Sequence, residues 1–440
     1  MAKQKPKKLH LAAFIYSGQQ TQIWRHRDQH AHDSLDVDYY IEYAQLAEAS
    51  KFDTLFLADG ASFPSGPLAK HLWSVSTFEP ATLFSAIAAR TNHIGLIYTA
   101  SVSDNEPTHV ARQLASLDHI SHGRAGWNVV TTPGPGSENL RIPSEETKDS
   151  SAKYFRARSF LQATKALWDS FEDDALIRNK ETGIYVVLEK IHPPNLESSL
   201  YKITQPLKVE RPIQGYPVIA QAGTSPEGIS FGGSSADVIY CANYSIEDGQ
   251  KTYRALKSAA VAAGRNPDHL VILTGVAVIW GETQEAAEAK LAEATALWPI
   301  DIAIQNLGID VGEADLDGPF PEDWKALFSQ GRSAAIASFA LKNKLTVRQL
   351  AERASVGLGH RPLVGTTKSI ADDLQAWLEA EATDGFAVIQ PLLLQGLQDF
   401  STHVVPELVR RGLFRSDYEG ATLRENLGIS RPPNQYVKPQ

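Results

Sequence analysis

Tyr216-Pro-Val-Ile-Ala-Gln221 runs directly into Ala222-Gly-Thr-Ser-Pro226, an apolar stretch closed by a turn of glycine and hydroxyl residues. Such a run suits a strand buried on both faces. Pro226 suits the first turn of a helix, where its missing N–H is no loss. Strand, turn and helix make one βα unit, and the unit recurs along the chain.

Leu9–Tyr16, Thr54–Ala58, Ile94–Thr99 and Arg124–Val130 read as four earlier strands. Ala236–Tyr240, Leu270–Ile279 and Gly385–Gln390 read as three later ones. Helical spacing follows over Val37–Ser50 (capped by Asp36), near Glu79–Arg90, and over Thr108–Ile120 and Ser151–Phe171. It returns from about Pro226, over Ile246–Ala263 and over Leu397–Arg411. Eight apolar strands alternating with helices predict an α/β fold, a closed (β/α)8 TIM barrel in preference to an open doubly wound sheet.

Three stretches fall outside the barrel count. The expectation is therefore one barrel domain over 1–440 with insertions near 133–149, 178–212 and 283–365. The first is rich in glycine and proline, and the second has room for a short hairpin. The third carries helical patterns at Gln284–Leu297, Glu322–Lys342 and Thr346–Ala354. It is the candidate lid, because long insertions in compact enzymes commonly cover a site.

The 440 residues carry 42 Lys and Arg against 51 Asp and Glu, a net charge of −9. That balance argues against nucleic acid or an anionic membrane as the main partner, since phosphate binding draws on basic charge. A single cysteine, Cys241, excludes an intrachain disulfide framework and a thiolate metal cluster. The basic start, Lys3 to Lys8, precedes an apolar run too short for a secretory signal. No segment approaches the roughly 20 apolar residues of a membrane span. Cytoplasm is the expected compartment.

In a barrel of this kind, function collects at the C-terminal ends of the strands. Those positions hold Asp59, Thr99 with Ser101, Trp127 with Asn128, and Gln221-Ala-Gly-Thr-Ser225. The set is polar and almost uncharged, which suits a polar heterocycle and a phosphate better than acid–base hydrolysis. The turn at Gly223, Thr224 and Ser225 has the chemistry of an anion nest; it is equally the chemistry of a plain N-capped βα turn. Asp59 is placed to accept from a ring N–H or to cap the next helix. Tyr154 and Arg158, one helical turn apart, either reach a phosphate or lie solvated.

His30-Ala-His32 has the spacing of a metal pair in barrel amidohydrolases, but it lies in a polar loop beyond the first strand. No further ligand set shows at later strand ends, so no metal is expected. A metal-dependent barrel hydrolase built on that pair is one rival reading. No phosphate-binding G-x-x-x-x-G-K-[ST] loop and no G-x-S-x-G motif occurs. Gly134-Pro-Gly136 lacks the third glycine of a dinucleotide fingerprint.

Several further segments stand out along the chain: Trp24-Arg-His26, Phe56-Leu-Ala-Asp59-Gly60, Thr99-Ala-Ser101, Glu106-Pro107 and Ala111-Arg112-Gln113. They continue through Ser116-Leu-Asp-His-Ile-Ser121, Gly123-Arg-Ala-Gly-Trp-Asn-Val-Val-Thr131, Gln221–Ser225 and Thr422-Leu-Arg-Glu-Asn-Leu-Gly428. Taken together, these segments resemble the bacterial-luciferase-like flavin-dependent monooxygenases, in the branch of the nitrilotriacetate and dibenzothiophene-sulfone monooxygenases. Beside that reading stands the rival of a barrel that binds flavin without turnover. The resemblance covers nearly the whole chain, and Ser116–Thr131 is its longest segment.

The resemblance implies FMN, used as FMNH2, at the mouth of the barrel, with O2 as co-substrate. It implies a separate flavin reductase as partner, which agrees with the missing nicotinamide motif. It also implies C–N or C–S oxidation of a small molecule, and a homodimer or homotetramer. Carried over by position, Asp59, Thr99, Ser101 and Asn128 line the isoalloxazine and ribityl chain. Tyr154, Gly223, Thr224 and Ser225 hold the phosphate, and His26 orients substrate or oxygen as the catalytic candidate. Before Pro107 the family often has aromatic or histidine residues; this chain has Asp104 and Asn105, a departure in pocket polarity.

Overall fold

A computed structural model describes residues 7–16, 23–27, 33–60, 63, 69–131, 150–307, 315–322, 331–357 and 359–437. His30, His32, the Gly134–Gly136 segment and the whole of the expected insertion at 133–149 lie outside the described residues.

The strands in chain order are β1 (His10–Tyr16), β2 (Thr54–Ala58), β3 (Gly95–Ser101), β4 (Ala125–Val130), β5 (Leu196–Glu197) and β6 (Lys202–Ile203). They continue as β7 (Val218–Gln221), β8 (Val238–Cys241), β9 (Val271–Trp280), β10 (Arg361–Gly365) and β11 (Gly385–Ile389). The main sheet runs β10-β9-β11-β1-β2-β3-β4-β7-β8, and β8 returns to β9 to close the ring. Every pairing in it is parallel. The eight barrel strands are the eight read from the sequence, and the fold is the expected (β/α)8 TIM barrel. β5 and β6 make the short antiparallel hairpin expected in the second insertion.

Side-chain alternation along each strand separates two cores. Phe14, Phe56, Ile97, Val218, Ala220, Tyr240 and Leu273 point into the barrel. Ring centroids of Phe14 and Phe56 lie 4.7 Å apart, and those of Phe56 and Tyr240 4.0 Å apart. Each such aromatic side chain contributes about 1.5–3 kcal/mol of burial free energy. Leu423, Leu427 and Ile429 from the C-terminal tail close the base of that interior. The alternate residues, such as Leu55, Leu57, Trp127 and Ile219, pack outward against the helices.

Three aspartates pin the base. Asp53, Asp237 and Asp384 stand immediately before β2, β8 and β11, and each accepts a backbone N–H from the neighbouring strand. The donors are Leu11 at 2.7 Å, Ile219 at 3.0 Å and Ile272 at 3.0 Å. Each carboxylate also meets a cation: Arg415 at Asp53, Arg424 at Asp237 (2.7 Å) and Lys257 at Asp384 (2.9 Å). Burial opposes the charge on Asp53, but Arg415 and His10 outweigh it and hold the carboxyl below its ordinary range.

Two departures from the sequence reading matter for the mouth. First, the segment 283–365, expected as an insertion outside the sheet, ends in β10. β9 carries β11 along one edge, opposite Leu273–Ala277. Its other edge holds β8 against Val271–Thr274 and then β10 against Val276–Trp280, so β10 extends the wall above β8. The same segment has its own small core of Phe320, Ile336, Ala340, Val347, Leu350 and Ala351, joined to the barrel through Tyr244. Second, the helix expected over Leu397–Arg411 is interrupted. It runs Leu393–Asp399, widens to a π turn at Phe400–Val404, and resumes at Val405–Arg410. Pro406 has no N–H to give to the preceding turn, and the ladder shifts around it.

Candidate active site

The residues with an open chemistry lie where β2, β3, β4 and β7 end side by side. Thr99 faces the barrel interior because Ile97, two residues earlier, does. Asn128 is its registered neighbour on β4, and Ala220 on β7 is the neighbour of Asn128. Asn128 Nδ2 donates to Thr99 Oγ1 at 2.9 Å, and Thr99 Oγ1 donates to the Leu57 carbonyl at 3.0 Å. Both side chains are buried. Asn128 Oδ1 is also buried, and it has no hydrogen-bond partner among the described residues. An orphaned acceptor in that position costs about 1–3 kcal/mol unless a bound group donates to it.

Ser101 ends β3 half-buried. Its Oγ accepts from the Ser103 N–H at 3.1 Å, and the Asn105 amide donates to its carbonyl at 2.9 Å, so a tight local turn holds it. Asp104, in the same turn, also meets the Ser101 hydroxyl. Burial raises its carboxyl above the ordinary range against that hydrogen bond. Asp59 directly follows β2 and is half-buried at the same rim.

Across the rim, Ser225 caps the helix Pro226–Ser235, its Oγ accepting from Gly228 N–H at 3.1 Å. The capping alternative weighed for this turn is therefore realised, and capping leaves the hydroxyl proton and the first helical N–H groups directed outward. Gly223 is a fitted position. A Cβ there would overlap the Gln221 amide and come within 2.9 Å of Tyr154 Oη. At Gly228 a Cβ would stand 2.8 Å from the same hydroxyl. Tyr154, buried on the helix Ser150–Trp168, thus lays its hydroxyl over the turn, and that hydroxyl makes no hydrogen bond among the described residues. Arg158, one turn on, donates to Ser230 Oγ at 3.2 Å and lies over Phe231, so it is held against the same helix. Thr224 is exposed beside them. The turn, the capped helix start and the tyrosine form a cradle shaped for an anion.

His26 packs with the third insertion. It is buried against the helix Gln284–Ala296, 3.4 Å from Glu293, while Arg25 donates to the Leu297 carbonyl at 2.8 Å. Arg25 and His26 are therefore fastened to the third insertion. The structure brings Thr99 and Asn128 into contact, and Tyr154, Gly223 and Ser225 into one cradle; it puts His26 with the insertion.

One residue the sequence reading missed is His360, immediately before β10. Gly275 faces the barrel interior between Leu273 and Ala277, and a Cβ on it would collide with the His360 imidazole, whose Cε1 would be 2.6 Å away. The His360 ring lies 6.1 Å from Phe14. The extra strand therefore delivers an imidazole into the barrel over a glycine. The one available signal was Gly275 itself, a bare position inside an apolar strand.

Among the described residues, no group of three or more His, Cys, Asp or Glu side chains could hold a metal ion. Among them, too, no helix is long and apolar enough to cross a membrane.

Comparison with known proteins gives the family. A model of the luciferase-like monooxygenase family matches residues 20–384. The chain is 41% identical to the N-acetyl-S-(2-succino)cysteine monooxygenase of Bacillus subtilis (strain 168), over 99% of each protein. It is 40% identical to nitrilotriacetate monooxygenase component A of Aminobacter aminovorans, over 97% of each. Among solved structures, a riboflavin lyase crystallised with modified FMN and its substrate riboflavin superposes with a TM-score of 0.82. It is 28% identical and covers 97% of each chain.

Proposed function

This chain belongs to the luciferase-like monooxygenases, and from that membership we propose that it oxygenates a small organic molecule with O2 and reduced FMN. A separate flavin reductase supplies the FMNH2. The observation that carries the cofactor is the pairing of two features on one rim: the orphaned Asn128 Oδ1 and the Gly223 cradle under Tyr154. β4 and β7 are adjacent, so an elongated ligand with a polar ring at one end and a phosphate at the other meets both. Asp59, Thr99, Ser101 and Asn128 hold the ring and ribityl chain, and Asn128 Oδ1 accepts from an N–H or O–H of that ligand. Tyr154, Gly223, Thr224 and Ser225 hold the phosphate through hydroxyls and helix-start N–H groups. When bound, FMN supplies the electrons that activate O2.

The protein's part is position and dryness. The third insertion, with its own core and its His26–Glu293 contact, closes over the mouth and keeps water from the reacting groups. His360 stands at the substrate end, where an imidazole can hold or move a proton. The substrate class follows the two relatives, whose names specify a thioether and an amine that carry several carboxylates. Oxidation beside sulfur or nitrogen, with C–S or C–N cleavage, is the reaction proposed.

An oxygen-uptake assay with the protein, FMN, NADH and a generic flavin reductase tests this against a panel of thioether and amine carboxylates. Substrate-dependent product, with oxygen consumption to match, is expected for at least one compound. A panel without any product, in protein that binds FMN, overturns the monooxygenase assignment in favour of flavin binding without turnover.

A further inference from the structure

At the base of the barrel, opposite the mouth, a cavity of about 280 Å³ opens among Lys165, Tyr216, Ser235, Asp237, Arg265 and Arg424. Three distant segments bring its cations together. Lys165 comes from the helix Ser150–Trp168, Arg265 from the loop before β9, and Arg424 from the tail helix Leu423–Asn426.

Their charges are not balanced. Asp237 is shared by Arg424 at 2.7 Å and Arg265 at 3.5 Å. The next carboxylate, Asp169, is already engaged by Arg211 at 2.9 Å and by the Tyr216 hydroxyl at 2.5 Å. Lys165 is left over. Its ammonium has no hydrogen bond and no carboxylate within ion-pair distance among the described residues, and it lies 5.5 Å from the centre of the Tyr216 ring. Burial, with Arg265 and Arg424 nearby, pulls the Lys165 ammonium below the usual lysine range against the attraction of Asp237 and Asp169. A partly buried cation without an acceptor is costly, and a bound anion offsets that cost.

We propose that this basal cavity binds a small organic dianion, a phosphate monoester or a dicarboxylate, seated between Lys165, Arg265 and Arg424. Three cations against one carboxylate leave two positive charges on the wall, which sets the charge of the ligand. Its organic body has room as well. Lys165, Tyr216 and Ser235 also line an adjoining cavity of about 650 Å³ along the outer face of the same helix. The site is separate from the flavin cradle: Tyr154 and Lys165 are on one helix, about 16 Å apart along its axis. The proposal stands without the flavin reading, since it uses none of that cradle's residues.

Isothermal titration of the flavin-free, full-length protein tests it, at constant ionic strength. The probes are inorganic phosphate, glycerol 3-phosphate and succinate. Single-site binding with Kd below about 1 mM is expected for at least one probe. Tighter binding of glycerol 3-phosphate identifies a phosphate ester as the ligand, and tighter binding of succinate a dicarboxylate. Lys165→Met keeps the stem and removes the charge, and it is expected to weaken binding about tenfold or more. Ser235→Glu, on the half-buried rim, adds a repelling charge without touching the cation cluster and is expected to do the same. Absence of binding for all three probes overturns the proposal. So does equal affinity in the wild type and both variants, with folding of each verified by its melting temperature.

Discussion

Asn128 gives its amide proton to Thr99 at 2.9 Å and keeps a buried carbonyl oxygen that nothing in the described structure donates to. The first contact fixes which way the amide points, because Thr99 is itself committed to the Leu57 carbonyl. The second leaves a directed acceptor inside the barrel. Rigid placement by neighbouring strands is what a ring-binding site requires.

Asn128→Leu removes that acceptor while filling similar volume. Affinity for FMN is expected to fall about tenfold to a hundredfold. Anaerobic titration of reduced FMN, followed by flavin fluorescence or absorbance, measures it. Unchanged affinity would remove Asn128 from the ring site.

Ser225→Asp separates the two roles of that residue. Aspartate is as good an N-cap as serine, so the melting temperature is expected to stay within a few degrees. A carboxylate in the cradle repels phosphate, so FMN binding is expected to weaken by about tenfold or more. Riboflavin, which has no phosphate, is expected to bind both proteins alike. Equal loss for FMN and riboflavin would contradict the phosphate assignment.

His360→Ala leaves the cradle intact and empties the space over Gly275. FMN affinity is expected to be unchanged, while turnover of the best substrate falls about tenfold or more. Oxygen uptake without matching product would rise with it. A change confined to FMN affinity would instead place His360 against the flavin.

Asp53 at the base provides a pH test of the fold. Its folded-state pKa is depressed, so the stability it contributes is present above the unfolded value near 3.9. That contribution is lost as pH falls below this value toward the folded one. Asp53→Asn leaves Arg415 buried without its partner and is expected to cost about 3–5 kcal/mol at neutral pH. Denaturant melts from pH 3 to pH 7 should show the difference between the two proteins shrinking as the wild type is acidified.

Cys241 is a control. Burial pushes its thiol up to about 11, and its sulfur sits 3.6 Å from Thr274 Oγ1. Cys241→Ser is expected to change stability by less than about 1 kcal/mol, and iodoacetamide is expected to leave activity intact below pH 9.

The barrel was legible because its eight strands are short apolar runs such as Thr54–Ala58 and Val238–Cys241, buried on both faces and separated by helices. β10 was not, since Arg361-Pro-Leu-Val-Gly365 opens with a charge and a proline and is only partly buried along its middle. The rim was legible as strand ends at Asp59, Thr99, Asn128 and Gly223. What no local pattern contained were contacts set by the tertiary fold: His360 over Gly275, His26 against Glu293, and Lys165 facing Arg424 from the far end of the chain.

A crystal structure of the protein soaked anaerobically with reduced FMN tests the central claim most directly. The account expects one flavin per chain, its ring against Asn128 and Thr99 and its phosphate on Gly223, Thr224 and Ser225 beneath Tyr154. Flavin density elsewhere on the protein, or a phosphate turned away from that turn, would contradict it.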